Sequence, residues 1–120
     1  MPVVLVVDDE AYSRYATVRA LQAAGFDVRE CSNGLDGLRA ARDRPDVIIL
    51  DIRLPDTDGF EVCRLLKSDP ATRTIPVILK TAYLEEARRD RARNVGADDL
   101  VVDSGDVAPV RSAVERVLRR

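Results

Sequence analysis

The chain has 120 residues, which is room for one domain with one modest core. Hydrophobic residues make up 46 % and charged residues 33 %, and 19 basic against 21 acidic side chains leave a net charge of −2. This ordinary globular balance argues against a nucleic-acid-binding surface, and no apolar run approaches the ~20 residues of a membrane-spanning helix.

The first apolar run, Val3–Val7, is β-branched and continuous, the pattern of a strand buried on both faces of a parallel sheet. Tyr15, Val18, Ala20, Leu21 and Ala24 then form one face of a helix that Gly25 stops. Phe26–Glu30 alternates apolar and charged residues, which suits an edge strand with one wet face. The Asn33-Gly34 turn opens a second helix marked by Leu35, Leu38 and Ala41, and Val47–Leu50 is the next buried strand. Asp58 with Glu61 reads as a capping box for a third helix, which runs through Leu65 and Leu66 and ends before Asp69-Pro70. Val77–Leu79 is a fourth strand. Leu84, Ala87, Arg91 and Val95 outline a fourth helix closed by Gly96, Leu100–Val102 is a fifth strand, and Val107, Val110, Val114, Val117 and Leu118 outline the last helix.

Five β-α alternations with short connections imply an α/β fold, a doubly wound parallel sheet with helices on both faces and right-handed crossovers. The whole chain, residues 1–120, reads as a single domain whose last helix runs to Arg120, leaving any output domain outside it. Cys31 and Cys63 are far apart with no His in the chain, so buried reduced thiols are expected rather than a disulfide or a zinc site. The start, Met1-Pro2, lacks the basic region of a secretory signal, and a cytoplasmic protein is the expectation.

In an open α/β sheet, ligands bind beyond the carboxyl ends of the strands where the strand order reverses. The first strand ends in Asp8-Asp9-Glu10, the third in Asp51, the fourth in Lys80-Thr81-Ala82 and the fifth in Asp103-Ser104-Gly105. If the first and third strands are neighbours, Asp8, Asp9 and Asp51 converge. Three carboxylates together repel unless a cation sits among them, and hard oxygen donors without His or Cys fit Mg²⁺. A carboxylate facing such a cation is a nucleophile toward phosphorus, and the Thr81 hydroxyl stands ready to donate to a phosphoryl oxygen. Any one of these acids alone would be an ordinary turn former or cap, and Asp9 or Glu10 could simply complement the first helix.

The segments VVLVVDDE, DVIILDIRLPDTDGFEVCRLLKSDP, IPVILKTA and GADDLVV resemble, across essentially the whole chain, the receiver domain of two-component response regulators. Asp51, Pro55, Asp58 and Gly59 carry the most specific part of that resemblance. It implies a flavodoxin-like sheet in order 2-1-3-4-5, and phosphoryl acceptance on Asp51 from a histidine kinase or phosphotransfer protein. It also implies Mg²⁺ held by Asp9, by Asp8 through water, by Asp51 and by the backbone carbonyl of Arg53. Thr81 would be the switch hydroxyl, Ala82 would offer a backbone N–H, and Arg53 and Tyr83 would tune the lifetime of the phosphoryl group.

The chain departs from this family at the end of the fifth strand. Receivers end it in Lys-Pro, the Lys contacting the phosphoryl group; here the residues are Asp103 and Ser104, and Leu100 replaces an aromatic. Of two substitute cations, Lys80 precedes Thr81 and should point to the other sheet face, while Arg53 could swing over the site. A pseudo-receiver that signals through protein contacts without phosphorylation is the alternative. A phosphohydrolase, and with it an enzyme, is disfavoured because Arg53 stands where a general acid would be needed. Arg88, Arg89, Arg91 and Arg93, interspersed with Glu85, Glu86 and Asp90, read as a solvated helix. Set against Asp98 and Asp99, they could instead join two copies through the fourth helix, fifth strand and fifth helix. No nucleic acid or membrane partner is expected for this chain alone.

Overall fold

The computed structural model describes residues 1–103 and 105–120; the reading of Ser104 lies outside the described residues. Five strands, β1 (Val3–Val7), β2 (Asp27–Cys31), β3 (Val47–Asp51), β4 (Val77–Thr81) and β5 (Asp99–Val102), form one sheet in the order β2-β1-β3-β4-β5. All pairings are parallel. The helices are α1 (Ala11–Ala23), α2 (Gly34–Ala41), α3 (Gly59–Ser68), α4 (Arg89–Asn94) and α5 (Ala108–Leu118). This is the doubly wound parallel sheet expected from the alternation of elements, in the flavodoxin-like order that the family resemblance implies.

The sheet divides the core in two. One layer packs Leu5, Val7, Ile48, Leu50 and Leu79 against α2, α3 and α4, and the other packs Val4, Val6, Ile49, Ile78 and Val101 against α1 and α5. Since side chains alternate along a strand, these layers fix the side on which every strand-end residue emerges. Helix starts are set by local side chains: Glu10 accepts the amides of Tyr12 and Ser13, Asn33 that of Asp36, and Asp58 that of Glu61. The capping box at Asp58 is half made, because Glu61 turns instead to Arg64.

Several expectations shift. β2 begins and ends one residue later than Phe26–Glu30, and as expected it is an edge strand, pairing with β1 alone. Tyr15 and Leu35, expected on buried helix faces, are 62 % and 50 % exposed. At α2 the reason is close packing: a methyl group at Gly37 would lie 3.0 Å from Val7 Cγ2, so only small residues fit beneath the helix. The fourth helix is not continuous. A 3-10 turn, Leu84–Glu86, precedes the six-residue α4, and neither start carries a side-chain cap. Arg53 explains the break by pairing with Glu86 at 2.6 Å and stacking on Tyr83 at 3.9 Å, which ties the turn to the β3–α3 loop. Both cysteines are free thiols; Cys63 is buried but Cys31 only half-buried. Burial pushes the Cys63 thiol up to about 11.

Candidate functional site

β1 and β3 are neighbours, while the chain leaves β1 for an outer strand on one side and β3 for β4 on the other. Their carboxyl ends therefore form the switch point. Register brings Val7 beside Leu50, so Asp8, Asp9 and Asp51 meet, with one carboxylate oxygen from each within 4.8 Å of the others. Asp8 is fully buried, Asp51 half-buried and Asp9 exposed. Asp9 and Asp51 open on a cleft of about 380 Å³ that Ser13, Arg53, Lys80, Ala82 and Tyr83 also line. A larger cavity, about 480 Å³, lies between the β3–α3 loop and α4, but it contains none of the three carboxylates.

Burial pushes the Asp51 carboxyl up to about 7, the negative charge of Asp8 adds to the rise, and Lys80 opposes it. Asp8 goes the other way. Burial works to raise it, but the Lys80 charge and hydrogen bonds from Lys80, Ser13 and the Glu10 amide hold it below the ordinary carboxylate range. Three hard oxygen donors converging on a cleft, with one of them destabilised as an anion, can hold a metal ion.

Thr81 is buried, donates to Glu86 Oε2 at 3.4 Å and accepts the Tyr83 amide at 3.1 Å. Ala82 lies at the cleft wall. Arg53 is engaged by Glu86 and Tyr83 rather than swung over the carboxylates, while its amide donates to Asp51. Leu100 is 5 % exposed and joins the core, where an apolar residue fits without strain.

Lys80 reaches the acidic site. It does lie on the face opposite Thr81, sharing the side of Ile78, but strand parity puts Asp8, Asp51 and Asp103 on that same side. Its ammonium is buried, donates to Asp8 Oδ2 and Ser13 Oγ at 2.9 Å each, and stands 3.8 Å from Asp103 Oδ2. Alternation gives direction within one strand; register between strands, absent from any local pattern, decides who shares that direction.

Glu10 is the helix cap. Ser13 and Asp56 drew no notice in the sequence. Asp56 accepts the Gly34 and Leu35 amides at 2.8 and 2.9 Å, locking the start of α2 to the β3–α3 loop, and these bonds hold its carboxyl low. Asp98 and Asp99 bond within the chain, Asp98 to Lys67 and Arg120 and Asp99 to Arg116. Within the chain they are thus engaged from α3, α5 and the C-terminal arginine.

Fold and site define an α/β domain with an acidic pocket at its switch point. Residues 4–115 match the response regulator receiver domain, and the chain belongs to that family, the receivers of two-component systems. It is 39 % identical to the phosphate regulon transcriptional regulatory protein PhoB of Pseudomonas aeruginosa, covering 98 % of this chain and 52 % of PhoB. It is 37 % identical to the DNA-binding dual master transcriptional regulator RpaA of Synechocystis, covering 100 % of this chain and 50 % of RpaA. The chain thus spans about half the length of these relatives. Among solved structures, the response regulator TrrA of Thermotoga maritima, in complex with Mg²⁺-BeF, superposes with a TM-score of 0.87 at 30 % identity, covering 98 % of this chain and 99 % of that one. Receiver domains are in general switch modules rather than enzymes, and their partners are histidine kinases or phosphotransfer proteins. Among the described residues no helix is long and apolar enough to cross a membrane.

Proposed function

We propose that this chain is a phosphorylatable switch of a two-component pathway and that Asp51 accepts the phosphoryl group. The observation that carries the reading is the convergence of Asp8, Asp9 and Asp51 to within 4.8 Å at the switch point, beside an open cleft. Asp51 Oδ forms the bond to phosphorus as the bond from phosphorus to the donor breaks, a phosphohistidine nitrogen or the acyl oxygen of acetyl phosphate keeping the electron pair. Asp8, Asp9, Asp51 and the Arg53 carbonyl would hold Mg²⁺, which TrrA also binds. When bound, it neutralises charge that develops on the phosphoryl oxygens. The Thr81 hydroxyl would exchange its long bond to Glu86 for a phosphoryl oxygen, which the Ala82 amide would also meet.

This switch would work in the cytoplasm. The surface of α4, β5 and α5 is where a second copy would dock, through the arginines of α4 that face solvent. The pseudo-receiver reading rests on Asp103, Ser104 and Leu100; against it, the Asp103 carboxylate has a cation, Lys80, 3.8 Å away that shares in balancing its charge. The test is intact-mass spectrometry after incubation with acetyl phosphate and Mg²⁺. One phosphoryl group should be added to the native chain and none to Asp51→Asn; an unmodified native chain, folded and metal-loaded, would sink the proposal.

A further inference from the structure

The buried ammonium of Lys80 has three acidic neighbours and one open side, the cleft. A phosphoryl group on Asp51 would add a dianion to a pocket already holding Asp8, Asp9 and Asp103. Among the described residues lining that cleft, Lys80 is the ammonium, while the Arg53 guanidinium is committed to Glu86 and Tyr83. Lys80 is register-paired with Asp51 across β3 and β4, so the two side chains leave adjacent strands on the same side.

We propose that Lys80 is the cation that contacts the phosphoryl group on Asp51, and that Asp103 holds the ammonium in place. The cation that receivers carry at the end of the fifth strand is thereby transposed to the end of the fourth, and an anion stands in its former position. This inference rests on Asp51 being the acceptor. The lysine stem is flexible, and its Asp8 and Ser13 bonds are exchangeable for phosphoryl oxygens once a divalent cation shares the charge of Asp8. Asp103 is a positioning residue: it is buried, its carboxylate accepts the Gly105 amide at 3.1 Å, and it faces Lys80 from the β5 side.

The chain has only two lysines, Lys67 and Lys80, so ¹⁵N-lysine labelling gives two side-chain signals that a Lys67→Arg control assigns. Beryllofluoride with Mg²⁺, a stand-in for the phosphoryl group, should move the Lys80 ammonium signal and leave that of Lys67 in place. Lys80→Gln should weaken beryllofluoride binding at least tenfold. Restoring a cation on β5 with Lys80→Val plus Asp103→Lys should recover binding to within about threefold of the native chain. An unmoved Lys80 signal in a native chain that does respond at its Asp51 and Thr81 amides overturns the assignment of Lys80 alone. A native chain with no response at any amide overturns phosphoryl acceptance itself, and this inference with it. The first measurement is made on the native protein, so it stands even where a variant fails to fold.

Discussion

Replacing Asp51 with Asn should stabilise the metal-free protein. In the folded chain burial, reinforced by Asp8, pushes this carboxyl from 3.8 up to about 7. A raised carboxyl means the folded state binds the proton more tightly than the unfolded chain. Stability is therefore unaffected below about pH 4, falls as pH rises toward 7, and levels off above it. Each tenfold change in proton affinity is worth about 1.4 kcal/mol, so a shift from 3.8 to about 7 corresponds to about 4 kcal/mol. Relaxation of the half-buried site and its pull on Lys80 reduce this, leaving on the order of 2 kcal/mol for the neutral, nearly isosteric Asn. The assay is urea denaturation at pH 8 in EDTA, where a gain of that size raises the midpoint by about 1 M. Excess Mg²⁺ should stabilise the native chain by about 2.7 kcal/mol at one hundred times its Kd, erasing the advantage of the variant. Equal stability of the two proteins in EDTA, or equal stabilisation of both by Mg²⁺, would refute the account of Asp51 as a strained anion awaiting a cation.

Asp98 makes the opposite prediction. Burial works to raise its carboxyl, but bonds from the Val77 amide, Arg120 and Lys67 hold it low, so its stabilisation is present above about pH 4 and lost as pH falls through its folded value. Asp98→Ala should cost about 2–3 kcal/mol at pH 7, chiefly through the unpaired Val77 amide, and the gap to the native chain should narrow in acid denaturation series below pH 4. At Gly59, an added methyl would collide with the Asp51 carbonyl. Gly59→Ala should therefore lose about 1–3 kcal/mol in spite of its better helix propensity, and should weaken Mg²⁺ binding measured by calorimetry; a stabilised, fully competent variant would contradict the close approach.

The fold was legible because its signals are local. Continuous β-branched runs marked buried strands, and Asn33 and Asp58 marked helix starts through bonds that span three residues. What failed was whatever a distant residue decides. Leu84 to Val95 has helical spacing, yet Arg53, some thirty residues earlier in the chain, pins Glu86 and breaks the helix. Leu35 has the right period for a buried face, yet the close approach of Val7 to Gly37 leaves it outside. Lysine usage held an unread signal. In a chain that otherwise uses Arg, both lysines serve buried or half-buried carboxylates.

The sequence alone determined the order of elements, the parallel sheet they require, and the acids at the ends of the first and third strands, since chain connectivity and hydrophobic period carry that information. Only the tertiary structure decided the electrostatics of the site. The register of four strands sets Asp8, Asp51, Lys80 and Asp103 on one side of the sheet and Thr81 on the other. A charge is defined by its neighbours, and Lys80 lies 72 residues along the chain from the Asp8 it pairs with.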